Sequence, residues 1–168
     1  MYKLELKYIE YDENLSLKER RLLEHNIAYS LLDTMLSEHF DISSPTICRN
    51  ENGKPYINKQ GVHFSLSHTN GLAVCAVADT PIGVDCEKIV ERGLDDKKRF
   101  ASRYFTENEI EFLKNSQYSD LDFFKAWTGK EAVIKKLGGN MSLVKKIDIT
   151  QENLLFSYEN GYIICINV

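Results

Sequence analysis

The chain has 168 residues, a formal net charge of −4 and four cysteines. This length suits one domain, or two small joined halves, and can bury a core without staples. The acidic balance argues against general nucleic-acid binding. No apolar run approaches the roughly 20 residues that cross a bilayer, and the N-terminus is unlike an export signal. We therefore expect a cytoplasmic protein with reduced thiols and no membrane association.

The first 40 residues predict a strand followed by a long helix. Residues 2–9 alternate apolar and polar side chains, which is typical of a half-buried strand. Ser16 and Glu19 have the spacing of a capping box, so a helix is expected from there to about His39. His25, near the start of this helix, fits an ordinary half-exposed histidine.

The middle of the chain predicts an antiparallel meander. A turn signal at 52–55 precedes three short apolar runs at 62–67, 72–78 and 82–87. Turn residues separate these runs, so each run is expected to pair with the next. The run 72–78 is almost continuously apolar, which indicates a central strand that is covered on both faces.

The last 75 residues predict three helices and then strands. Residues 94–104 form a basic helical pattern, and Thr106 with Glu109 makes a second capping box. Ser119 or Asp120 is expected to cap a third helix, which Gly138-Gly139 ends. Strands are predicted at about 146–150, 153–158 and 162–167, the last two joined by an Asn-Gly turn. The order of elements favours an α+β fold of two half-domains.

Two patterns place carboxylates where a cation could bind. Asp85 and Glu87 are two apart on a strand and so project from one face. They suit Mg²⁺, although a solvent-facing pair at a frayed strand end fits equally well. Glu131 lies in the apolar helical row of Phe124 and Ile134, so it needs a wet cleft or a cation. Taken alone, Glu131 and Lys135 resemble a surface salt bridge one helical turn apart.

Four motifs in one order carry a resemblance to a known family. They are Gly53-Lys54-Pro55, Phe64-Ser65-Leu66-Ser67-His68-Thr69, Gly83-Val84-Asp85-Cys86-Glu87, and Trp127-Thr128-Gly129-Lys130-Glu131-Ala132 followed by Lys135. This set resembles the 4′-phosphopantetheinyl transferase superfamily, in its surfactin-synthetase-activating type. The resemblance implies transfer of the phosphopantetheine arm of coenzyme A onto a serine of an acyl or peptidyl carrier protein, with release of 3′,5′-ADP.

The resemblance also implies roles for individual residues. Asp85, Glu87 and Glu131 would hold Mg²⁺, with Mn²⁺ as an alternative ion, against the coenzyme A pyrophosphate. Glu131 would also help to deprotonate the acceptor serine, and Lys135 would protonate or neutralise the leaving phosphate. The resemblance implies further contacts with coenzyme A: Lys130 and His68 at the diphosphate, Asp85 beside them, Lys54 and Ser67 at the 3′-phosphate, and Pro55 near the adenine.

The family fold implies two similar α/β half-domains with antiparallel sheets, packed as a pseudo-dimer within a monomer. We expect residues 1–88 to form the half with the coenzyme contacts and metal carboxylates, and residues 89–168 the half with the Trp127–Lys135 helix and carrier contacts. The carrier could serve fatty-acid, polyketide or nonribosomal-peptide synthesis. Family members usually carry an arginine on the first helix for the 3′-phosphate, where this chain has His25.

Two other function classes use the same residues. A Mg²⁺-dependent phosphohydrolase or nuclease could be built on the carboxylates, but it would not require Gly53-Lys54-Pro55 or Ser67-His68, and an acidic chain makes a poor nuclease. A non-catalytic module that binds carrier proteins would leave Glu131 and its neighbouring lysines without a purpose. The transferase accounts for the whole motif set.

Overall fold

Four α-helices and three antiparallel sheets build an α+β fold in the computed structural model, which describes residues 1–168. The strands are β1 (Tyr2–Tyr8), β2 (Ile47–Arg49), β3 (Pro55–Ile57), β4 (His63–Thr69), β5 (Leu72–Ala78), β6 (Gly83–Lys88), β7 (Leu155–Glu159) and β8 (Tyr162–Asn167). The helices are α1 (Leu17–Phe40), α2 (Leu94–Tyr104), α3 (Glu107–Asn115) and α4 (Asp120–Leu137). None of these helices has both the length and the apolar character that crossing a membrane requires.

The first sheet has the order β1-β5-β4 and is covered by α1. Every residue of β5 is buried, which confirms the predicted central strand. The capping box of Ser16 and Glu19 is present and starts α1 as predicted. Ala28, Leu32 and Leu36 are buried along α1, and Leu32 and Leu36 share a core cluster with Phe64 and Val77 of the sheet.

The predicted meander is correct for β4 and β5 but wrong for β6. β6 leaves β5 and pairs with β8, giving a second sheet of order β6-β8-β7. The turn at 79–82 reverses the chain, but a turn signal does not specify the neighbouring strand. Instead, the hydroxyls of Ser65 and Ser67 on β4 accept hydrogen bonds from Val84 N and Cys86 N. Side chains thus replace a backbone ladder between β4 and β6.

The second sheet combines β6 with β7 and β8 from the end of the chain, so it crosses the predicted boundary at residue 88. Alternate residues of β5, β6 and β8, including Val74, Val84 and Ile164, form one core cluster between the two sheets. The α+β class with antiparallel sheets is confirmed. The division into 1–88 and 89–168 and the pseudo-dimeric packing remain predictions.

The helices of the second half begin and end close to the predicted residues. Thr106 and Glu109 form the second capping box, Ser119 caps α4, and Gly138 ends it in the left-handed conformation. The strand predicted at 146–150 is wrong, since Ile149–Gln151 is a short 3-10 turn. The hairpin of β2 and β3 was not predicted because three-residue strands leave almost no alternating pattern. All four cysteines are free.

Gly83 allows β6 to lie directly against α4. A Cβ at this position would overlap the carbonyl oxygen of Ala132 and the backbone nitrogen of Lys136. Both of these atoms belong to the backbone of α4, which cannot easily move. We expect Gly83→Ala to lower the free energy of unfolding by roughly 3 kcal/mol or more, at the upper end of overpacking costs. Urea unfolding would measure this loss. Gly93→Ala is the matched control, because a Cβ there meets only the Asp96 carboxylate, at 3.7 Å.

Candidate active site

Three carboxylates meet where β6 crosses α4. Asp85 and Glu87 come from one face of β6, and Glu131 comes from α4. One carboxylate oxygen from each lies within 4.8 Å of the others. The close approach at Gly83 brings the strand near enough to the helix for this cluster to form. The structure therefore unites the three residues that were expected to hold a metal.

Two carboxylates of the cluster have raised pKa values. Burial and the negative charge of Asp85 raise the pKa of Glu87 to about 7. The same two causes, in the same order, raise the pKa of Glu131 to about 8. Like charges at this separation disfavour one another unless a cation lies between them. A cation bound between these carboxylates would therefore be stabilised.

Lys135 supplies part of that charge. Its Nζ lies 2.7 Å from Asp85 Oδ1, and Ser67 Oγ donates a 2.8 Å hydrogen bond to the same oxygen. Burial acts to lower the pKa of Lys135, but the charges of Asp85 and Glu131 outweigh it and raise that pKa. Lys135 consequently forms its ion pair with Asp85, and not the surface bridge with Glu131 that the helical spacing alone suggests.

The donor set fits Mg²⁺. The second oxygen of Asp85, Oδ2, is buried and has no hydrogen-bond partner. An orphaned buried carboxylate oxygen is costly, and a cation is the partner that would satisfy it. Mg²⁺ prefers carboxylate oxygens and keeps other positions for water and phosphate. Asp85, Glu87 and Glu131 would hold the ion.

The Ser67 hydroxyl is engaged in hydrogen bonds within the protein. The residue is buried between β4 and β6, where its hydroxyl donates to Asp85 and accepts from Cys86 N. Both bonds are internal, and the first of them orients the Asp85 carboxylate. A contact of Ser67 with a 3′-phosphate remains a prediction. Thr69 lies two positions further along β4, and its Oγ1 is 3.4 Å from Glu87 Oε2. Thr69 thus contacts Glu87 as Ser67 contacts Asp85.

Lys130 is not brought to the cluster. Successive residues of a helix point about 100° apart, so Lys130 faces α3 while Glu131 faces β6. Lys130 is fully buried, and its Nζ lies 2.8 Å from Glu109 Oε2. The same ammonium donates to the carbonyl oxygens of Val144 and Ile147. All three hydrogen-bonding partners of Lys130 lie within the protein. Its expected contact with the diphosphate remains a prediction.

A cleft of about 690 Å³ lies beyond the His68 end of β4. Its basic side chains are His68, Arg20, Arg21 and Lys88. Its lining also includes Glu24, a buried carboxylate on α1 that the sequence analysis missed. Glu24 is four residues before Ala28 in a row of buried residues. The same row argument that identified Glu131 could have identified it.

Another cavity, of about 220 Å³, includes Lys54, Pro55 and Lys135 in its lining. The Nζ of Lys54 lies 3.4 Å from the carbonyl oxygens of Ile82 and Lys136, which are long contacts. Burial lowers the pKa of Lys54. The structure thus places Lys54 and Pro55 beside Lys135, with the lysine free of any carboxylate partner.

The chain is similar to known proteins over the region that contains this site. The sequence model of the 4′-phosphopantetheinyl transferase superfamily matches residues 81–160, which include all three carboxylates. The 4′-phosphopantetheinyl transferase gsp of Aneurinibacillus migulanus is 39% identical over 97 residues, covering 55% of this chain and 38% of gsp. The 4′-phosphopantetheinyl transferase Sfp of Bacillus subtilis is 32% identical over 116 residues, covering 67% of this chain and 51% of Sfp.

The fatty acid synthase subunit alpha of Candida parapsilosis is 35% identical over 75 residues, covering 42% of this chain and 4% of that subunit. The matches thus span about half or less of the curated relatives' own length. The matched family region contains the β6 and α4 elements that build the carboxylate cluster. Over residues 81–160 the chain is therefore similar to the 4′-phosphopantetheinyl transferase superfamily.

Proposed function

We propose that the protein transfers the 4′-phosphopantetheine arm of coenzyme A to a serine of an apo carrier protein. In this reaction the serine oxygen forms a bond to the β-phosphorus while the bond to the bridging oxygen breaks, and 3′,5′-ADP leaves. The observation that carries the proposal is the cluster of Asp85, Glu87 and Glu131 with Lys135 beside it, in a chain similar to this family. Such a cluster suits a reaction that develops negative charge on phosphate oxygens.

The chain's residues divide the work. A Mg²⁺ ion held by the three carboxylates would supply positive charge against the pyrophosphate. Glu131 is half-buried, so its carboxylate is accessible to accept the proton of the acceptor serine, directly or through a water. Lys135 also lines the Lys54 cavity, where its ammonium can neutralise the leaving phosphate.

We place the two halves of a monomer on either side of this cluster. Asp85 and Glu87 come from the expected half 1–88, and Glu131 and Lys135 come from 89–168. A site at such a junction lets the coenzyme and the carrier protein approach from different sides. The match to a fatty acid synthase subunit supports including an acyl carrier of fatty-acid synthesis among the candidate acceptors.

Release of 3′,5′-ADP from coenzyme A, followed by chromatography with and without an apo carrier protein, tests the reaction class. We expect release only when both Mg²⁺ and an apo carrier are present, across a panel of acyl and peptidyl carriers. Cleavage of coenzyme A at the same rate without a carrier would instead identify a phosphohydrolase. Binding of carriers without any cleavage would identify a non-catalytic module.

Lys54 is the residue we propose for the 3′-phosphate of coenzyme A, with Pro55 near the adenine. Lys54→Ala is expected to lower the preference for coenzyme A over 3′-dephospho-coenzyme A about tenfold, because one charge-assisted contact to the phosphate is lost. Competition binding of the two ligands measures this preference. Lys18→Ala, an exposed lysine on α1, is the control. If Arg21→Ala removes the preference and Lys54→Ala does not, the 3′-phosphate lies in the His68 cleft.

A further inference from the structure

Glu24 is a buried carboxylate that the proposed chemistry does not use. The residue is only 3% exposed, yet it makes three contacts. Its Oε1 accepts hydrogen bonds from the Tyr11 hydroxyl and from Gly71 N, the latter at 2.7 Å, and its Oε2 lies 3.1 Å from His68 Nδ1. A buried carboxylate is stable only when such partners satisfy it. It has no lysine or arginine partner, so His68 is its one basic contact.

The three partners of Glu24 differ in what they could do. Gly71 lies in the turn between β4 and β5, and Tyr11 lies in the loop after β1. These two contacts therefore hold a turn and a loop against α1. The His68 ring is 30% exposed and lines the cleft that carries Arg20 and Arg21. Contact with Glu24 therefore reaches a side chain that a ligand can touch.

The contact determines which nitrogen of His68 carries a proton. An ionised carboxylate only accepts hydrogen bonds, so Nδ1 must be the donor. The other ring nitrogen, Nε2, has no hydrogen-bond partner in the protein and is available to the cleft. An imidazolium placed between a carboxylate and a phosphate can donate from both nitrogens. The His25 ring, 5.9 Å away and edge-on, flanks His68 on the α1 side.

We propose that Glu24 is a positioning residue that holds His68 by Nδ1–H, so that in the imidazolium form Nε2–H donates to phosphate oxygens of the coenzyme. The part that concerns the coenzyme rests on the proposed function. The part that concerns the ring stands by itself. Carboxylates behind histidine ligands fix the tautomer and the ring orientation in the same way.

Nitrogen-15 NMR of the histidine rings, at a pH where His68 is neutral, tests the effect on the ring. We expect wild-type His68 to carry its proton on Nδ1. In Glu24→Gln the amide oxygen must face Gly71 N–H, so the amide NH₂ faces Nδ1 and the proton moves to Nε2. Tyr11→Phe removes another contact of Glu24 and is expected to keep the Nδ1–H form. A wild-type ring protonated on Nε2 would overturn the proposal without any variant having to fold.

Coenzyme A affinity tests the functional part. Glu24→Gln and His68→Ala are each expected to weaken binding about tenfold, and the double variant should bind no more weakly than His68→Ala. Such non-additivity means that Glu24 acts through His68, whereas additive losses would contradict it and indicate a general structural role. If the wild-type protein does not bind coenzyme A at all, the proposed function fails. The NMR experiment then still decides whether Glu24 controls the His68 ring.

Discussion

Glu131→Gln is expected to lower the turnover number for carrier modification at least about 100-fold, the order seen when one preorganised electrostatic contact at a reacting centre is lost. The substitution keeps the shape of the side chain but removes one of three carboxylates whose oxygens lie within 4.8 Å of one another. The cluster would then lose affinity for the cation that it is built to receive. Asp85→Asn is expected to act in the same direction and also to leave Lys135 without its partner.

The stability of Glu131→Gln separates a lost charge from a lost fold. Without Mg²⁺, we expect the variant to unfold at a temperature at or above that of the wild type. Burial and the charge of Asp85 disfavour the ionised form of Glu131 in the folded protein, and the amide of Gln has no such cost. Added Mg²⁺ should raise the unfolding temperature of the wild type and have little effect on the variant. Glu111→Gln, an exposed carboxylate on α3, is the matched control for both measurements. Normal turnover in Glu131→Gln would show that the cluster is not the reacting centre.

Lys130→Met is expected to lower the free energy of unfolding by roughly 3–5 kcal/mol, as is typical when one partner of a buried ion pair is removed. The substitution leaves Glu109 charged and fully buried, with hydrogen bonds from Thr106 N and Ile149 N but no cation. Adding Glu109→Gln should recover part of the loss, because the amide can keep acceptor contacts without the charge. Chemical unfolding of the single and double variants measures this coupling.

The same variant decides between two roles for Lys130. Lys114→Met is the control, because its ion pair with Glu111 is exposed and should contribute less than about 1 kcal/mol. We expect Lys130→Met to lose stability and to retain its coenzyme A affinity wherever it is folded. If the variant kept its stability but lost its affinity for coenzyme A, the result would support a contact between Lys130 and the diphosphate.

Local patterns in the sequence were reliable guides to local structure. The capping boxes at Ser16 and Thr106 place helix starts because their hydrogen bonds span only three residues. Asp85 and Glu87 share a face because a strand alternates. The pairing of β6 with β8 joins segments about 80 residues apart, and no local signal encodes it. The apparent meander was wrong for that reason.

The candidate site shows the same limit. The apolar row of α4 indicated that Glu131 needs a wet cleft or a cation. It could not show that Lys130, the next residue, faces a carboxylate on another helix. Ser67 belongs to a motif associated with the coenzyme, yet side-chain hydrogen bonds between β4 and β6 enclose it. Such contacts depend on how helices and strands pack. The motifs alone therefore indicated the region of the candidate site but not the surroundings of each side chain.

The intact mass of an apo carrier protein, measured after incubation with this protein, coenzyme A and Mg²⁺, tests the central claim most directly. The account predicts a gain of one phosphopantetheine group on a serine, no gain when that serine is alanine, and no gain when Mg²⁺ is removed by chelation. A panel of acyl and peptidyl carriers that all keep their apo mass, with folded protein present, would contradict it.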